Sequence, residues 1–133
     1  MEDFILDPRL AADCFEISDS DGRKILLMNN AHYIWLILVP KTDCIELFDL
    51  PEEQRREALI EMNSLSSYIK STYQLDKINV AAIGNVVSQL HIHIVGRRKS
   101  DPAWPGVVWG HDAKKPYSDE EVEKIKYSIL IDV

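Results

Sequence analysis

One short stretch holds the chain's densest chemistry: Gln89-Leu90-His91-Ile92-His93-Ile94-Val95, with two of the four histidines. In an extended strand, successive side chains point to opposite faces. Leu90, Ile92 and Ile94 then share an apolar face, and Gln89, His91 and His93 share the other. An imidazole, with an ordinary pKa of about 6.5, works near neutrality as nucleophile, base or acid. For one ring to attack, its far nitrogen must hold the proton and an acceptor must fix that tautomer. A second ring can then donate to charge developing on the substrate or leaving group. Such a pair suits phosphoryl or nucleotidyl transfer, which rests on positioning and charge stabilisation. The spacing alone leaves two other readings open. His-x-His on a strand can aim both rings at a metal, with Asp101 or His111 as a third ligand. Or the two histidines are exposed and have no role.

Residues around the stretch add to it. Gly84-Asn85 precedes it; a glycine permits close backbone approach, and an asparagine amide can donate to an anion. Ser88 could add a hydroxyl. Arg97-Arg98-Lys99 follows, either to steer or clamp a polyphosphate or touch RNA, or as the solvated basic end of a strand. Trp104 and Trp109, in a Pro- and Gly-rich segment, could stack on a base or pack at an interface. Trp35 reads as core. His32, His111 and Lys41 read as surface residues.

The elements that must position these residues follow from local pattern. Asp7 caps a short first helix with Pro8 at its first position. Cys14 to Ser18 and Arg23 to Met28 form strands joined by an Asp-Gly turn at Asp21-Gly22. Ile34 to Val39 is a continuous apolar run ended by Pro40, as in a strand buried on both faces. Pro51-Glu52-Glu53 opens a long helix whose Ala58, Met62, Leu65 and Ile69 form one apolar stripe. Lys77 to Ile83 and Gln89 to Arg97 read as strands, with Gly84-Asn85 breaking between them. Ser118 and Glu121 make a capping box for a last helix from about Asp119. The expected fold class is α+β: a mainly antiparallel sheet, one long helix packed on it and a short C-terminal helix.

Composition bounds the function. The chain has 133 residues, 46% of them hydrophobic, which fits a single domain over residues 1–133. Lys+Arg is 15 and Asp+Glu is 22, a net charge of −7. That balance argues against a stable nucleic-acid partner but allows a small anionic ligand held by local donors. No apolar run approaches the roughly 18 residues of a membrane span, and the acidic start lacks a secretory pattern. Two isolated cysteines, Cys14 and Cys44, fit a reducing, cytoplasmic location.

The run Asn85-Val86-Val87-Ser88-Gln89-Leu90-His91-Ile92-His93-Ile94-Val95 resembles the histidine-triad (HIT) signature, His-φ-His-φ-His-φ-φ, where φ is apolar. The strand end Leu38-Val39-Pro40, the helix start Leu50-Pro51-Glu52, the run from Lys77 through Asn85 and the segment from Asp101 to Gly110 resemble the bacterial HIT hydrolase branch, including diadenosine polyphosphate hydrolases. The similarity runs from about Phe4 to Gly110. It implies a HIT-like fold, a homodimer, and a nucleotide substrate cleaved or transferred at the α-phosphate, with no cofactor and no metal. His91 matches the histidine that attacks phosphorus to give a nucleotidyl-histidine, and His93 matches the third histidine, which supports it. Asn85 matches a phosphate-contacting amide, with Ser88 beside it, and Asn29 lies near the ribose-contacting position. Gln89 stands where the signature has its first histidine, as in the bacterial members most similar to this chain. It can bind substrate by hydrogen bonds but cannot shuttle a proton. The alternative function is a nucleotide-binding or interaction module of the same fold with weak or no catalysis.

Overall fold

The computed structural model describes residues 3–133. Asp7 and Pro8 begin α1 (Pro8–Asp13) as their chemistry requires. The Asp7 carboxylate accepts the Arg9 N–H at 2.8 Å, and proline occupies the first turn, where no backbone donor is missed. The chain passes into β1 (Cys14–Asp19), turns at Asp21-Gly22 and returns as β2 (Arg23–Met28). The apolar run forms β3 (Ile34–Pro40), buried at every position. A 3₁₀ turn at Leu47–Asp49, which no local pattern announced, leads to α2 (Glu52–Thr72). On α2 the predicted stripe faces inward: Ala58, Leu65 and Ile69 are buried and Met62 partly so. Then come β4 (Lys77–Ala81), β5 (Ile92–Arg97) and α3 (Asp119–Asp132), whose capping box is formed by Ser118 and Glu121.

The five strands make one antiparallel sheet in the order β1-β2-β3-β5-β4. It is an α+β fold with helices packed on the sheet, as expected. Side-chain alternation sorts the core into two layers. Ile25, Leu27, Leu36, Leu38, Ile92 and Ile94 meet α2 and α3. Leu26, Trp35, Ile37, Val39 and Val95 face the other way, under Leu10 of α1 and the segment carrying Ala103, Val108 and Trp109. The sheet is therefore covered on both faces. Among the described residues, no helix is long and apolar enough to cross a membrane.

Two strands are shorter than their hydrophobic pattern predicts. β4 ends at Ala81 rather than Ile83, and β5 begins at Ile92 rather than Gln89. The ladder to β3 ends with Leu38 opposite Ile92, and the ladder to β4 ends with Ala81 opposite His93. Gly84, at φ +64°, takes the chain around between them. Within β5, Gly96 permits close packing. A Cβ there would overlap the Leu75 side chain and stand 3.2 Å from the Ile34 carbonyl oxygen.

Candidate active site

His91 and His93 are brought together, with ring centroids 4.9 Å apart and the rings near edge-to-face. Both are buried, at 6% exposure each, which rules out the reading of two exposed histidines. Their hydrogen bonds fix opposite tautomers. The His91 Nδ1 lies 2.7 Å from the main-chain oxygen of Gln89. A carbonyl oxygen only accepts, so Nδ1 carries a proton, and in the neutral ring Nε2 keeps its lone pair. The His93 Nδ1 accepts the Trp35 indole N–H at 3.0 Å. An indole N–H only donates, so the proton of a neutral His93 sits on Nε2. Burial, and then the neighbouring His91, push the His93 pKa down to about 4. Near neutral pH, His93 is thus an uncharged ring with one N–H to give. The site offers one bare nitrogen and, beside it, one donor.

Indole rings line the pair. Trp109 meets His93 edge-on at 5.4 Å between centroids and Trp35 at 6.2 Å, and its own Nε1 is buried with no partner among the described residues. Trp35 is core, as its apolar run suggests, but it also orients a histidine. The missed signal was register: Trp35 pairs with Val95, which places it diagonally across from His93 on the same sheet face.

The other candidates are placed differently. Gln89 is half-buried with its amide engaged: Nε2 donates to the Ile5 carbonyl at 2.9 Å, and Oε1 accepts the Asp7 N–H at 2.8 Å. Asn85 and Ser88 lie exposed on the irregular stretch that leads into the histidines. Asn29 is just past β2, two strands from β5, and its Oδ1 accepts the Tyr117 N–H at 2.9 Å. The structure joins Asn29 to the segment before α3 rather than to the histidines.

Arg97 is neither a polyphosphate clamp nor a solvated strand end. It is 2% exposed, and its guanidinium grips both Asp101 oxygens at 2.8 and 3.0 Å and the Asn79 Oδ1 at 2.8 Å. Arg98 donates to the Tyr73 carbonyl. Asp101 also accepts the N–H groups of Arg98, Ala103 and Trp104, so it is not free to complete a metal site with the histidines. His111 is exposed and accepts the Ala113 N–H. Among the described residues, no group of three His, Cys, Asp or Glu side chains is placed to hold a metal ion. Trp104 packs beside the Arg97 guanidinium at 5.6 Å. A cleft of about 570 Å³ lies on the opposite face of the sheet among Ile25, Leu38, Ala58 and Ile129, away from the histidines.

An antiparallel α+β sheet carrying paired imidazoles beside a glycine turn defines a class, and comparison with known proteins agrees. Residues 9–100 match the family model described as the HIT domain, and the chain belongs to the HIT family. A histidine triad protein from Sinorhizobium meliloti 1021 is 36% identical, with a TM-score of 0.95 over 100% of this chain and 99% of that one. One from Bradyrhizobium japonicum is 38% identical, with a TM-score of 0.91 over 96% of each chain. One from Marinobacter aquaeolei VT8 is 42% identical, with a TM-score of 0.89 over 95% of this chain and 93% of that one. Among curated proteins, none matches.

Proposed function

We propose that the protein is a nucleotide hydrolase or nucleotidyl transferase acting at the α-phosphate. The observation that carries this reading is the pair of opposite tautomers, a bare His91 Nε2 beside a His93 Nε2–H. The His91 Nε2 attacks the α-phosphorus and forms a P–N bond while the bond to the leaving group breaks. The His93 N–H and main-chain donors support the charge that builds on the phosphoryl oxygens. Water then displaces His91 from phosphorus and releases a nucleoside monophosphate. Leaving groups of phosphate, phosphoramidate or adenylate type all fit this chemistry, diadenosine polyphosphates among them. Asn85 and Ser88 contact the phosphates in this scheme, and Asn29 contacts the ribose. No cofactor takes part.

The proposal covers a cytoplasmic homodimer of single domains. Beyond β4, the sheet edge has no further strand among the described residues, and Val80 on that strand is 45% exposed. Sedimentation should read a dimer at micromolar concentration; a monomer would contradict the assembly but not the chemistry. The chemistry is tested by nucleoside monophosphate release from such substrates. His91→Ala should abolish release while the variant stays folded by circular dichroism, and wild-type rates in that variant would refute the assignment.

A further inference from the structure

We propose that Gln89 is a positioning residue for His91, and that the N-terminal segment at Ile5 and Asp7 is the anchor that holds it. The proposal rests on His91 being the nucleophile. For that role the Gln89 carbonyl must stay within reach of the His91 Nδ1, as it does at 2.7 Å. Yet both ladders stop short of it: the pairing ends at Ile92 on one side of β5 and at His93 on the other. Residues 89–91 are therefore not held by the sheet. Leu90 and His91 are buried, and Gln89 itself is tied by its side chain. Its amide donates to the main-chain oxygen of Ile5 and accepts from the main-chain N–H of Asp7, two residues on. A residue on a neighbouring parallel strand would make the same pair of bonds through its own N–H and C=O, so the side-chain amide stands in for the missing ladder.

The anchor is firm. Phe4 and Leu6 pack against the second core layer, Leu10 is buried in it, and Asp7 caps α1. Only an amide serves here. A glutamate would set a carboxylate against the Ile5 carbonyl, acceptor against acceptor. The two nitrogens of a histidine diverge and cannot face both main-chain groups side by side. The departure from the family signature at this position thus exchanges a titratable ring for a clamp. In the competing reading, the Gln89 amide binds substrate directly and the N-terminal contact is incidental.

The test uses ligand-free full-length protein and long-range ¹H–¹⁵N NMR of the histidine rings, with kcat and KM for nucleoside monophosphate release measured in parallel. Gln89→Ala removes the clamp from one side. Asp7→Pro removes it from the other by deleting the N–H; the Asp7 φ of −51° accepts proline. Asp7→Ala keeps that N–H and loses only the helix cap, so it separates stability from clamping. Wild type should show His91 with its proton on Nδ1, and Asp7→Ala should keep that spectrum. Gln89→Ala and Asp7→Pro should each mix the tautomers and lower kcat about 10-fold, with KM within about twofold. The double variant should be no worse than Gln89→Ala alone. Unchanged His91 nitrogens in both single variants would overturn the proposal. So would a rise in KM alone for Gln89→Ala with Asp7→Pro silent, which would instead make Gln89 a substrate ligand. If wild type releases no nucleoside monophosphate, the enzymatic reading fails, while the NMR comparison still decides whether the clamp sets the His91 tautomer.

Discussion

At the residue scale, two hydrogen bonds decide what each imidazole can do, and both have measurable consequences. Trp35→Phe leaves the His93 Nδ1 buried without its donor. We expect a loss of about 1–3 kcal/mol in denaturant unfolding, together with a fall in turnover as His93 loses its fixed tautomer. The depressed His93 pKa, about 4 in the fold, also predicts a pH dependence. An unfolded histidine titrates near 6.5, so between about 6.5 and 4 the unfolded chain binds a proton that the fold does not. Stability from this group is complete above about pH 6.5 and is lost as pH falls toward 4, by about 3 kcal/mol. Urea titrations from pH 7.5 down to 4.5 should show that decline, and His93→Asn should flatten it; equal slopes would contradict the assigned environment. The histidine pair was legible in sequence because strand alternation depends only on neighbours. The role of Trp35 was not, because it depends on the register between β3 and β5. The Gln89 clamp was not, because it joins residues 82 and 84 positions apart along the chain.

At the element scale, β5 and the stretch leading into it carry the site, and the packing of β5 is tight. Gly96→Ala would push a methyl group into the buried Leu75 side chain and toward the Ile34 carbonyl. The expected cost is about 1–3 kcal/mol, read as a lower denaturation midpoint with an unchanged slope; a neutral result would mean that Leu75 moves aside freely. The element order was legible from caps, apolar runs and turns: Asp7-Pro8, the stripe on α2 and the Ser118 box all behave as their chemistry dictates. The limits of β4 and β5 were not. Apolar residues continue through Ile83 and recur at Val86, Val87 and Leu90, but pairing ends at Ala81, before Gly84 turns the chain away. Hydrophobic alternation reports burial, not hydrogen bonding, and Leu90 is buried without belonging to a strand.

At the scale of the whole molecule, the second face of the sheet is closed by a segment with little regular structure, and one buried ion pair organises it. Arg97 and Asp101 are each 2% exposed at the side chain, and Asp101 also gathers three main-chain N–H groups of the turn. Burial alone would raise the Asp101 pKa, but the hydrogen bonds from Arg97, Arg98 and Trp104 outweigh it and hold it below the usual value. Its contribution is therefore present above the ordinary carboxylate pKa and fades only as pH falls through the lowered value. Asp101→Ala leaves a buried guanidinium without its partner, and we expect a loss of about 3–5 kcal/mol by chemical denaturation. A change under about 1 kcal/mol would contradict that account. This feature was hidden in sequence. Arg97-Arg98-Lys99 has the composition of a solvated strand end, and only the return of the chain at Asp101 buries its first member.

The central claim is that His91 is a nucleophile toward the α-phosphorus. Mass spectrometry tests it most directly, on protein mixed briefly with AMP-linked substrates and analysed without acid, wild type beside His91→Ala. Wild type should gain the mass of one nucleotidyl group, localised to His91, and the variant should gain none. No adduct and no AMP release from any of these substrates would contradict the account and leave a nucleotide-binding module of the same fold.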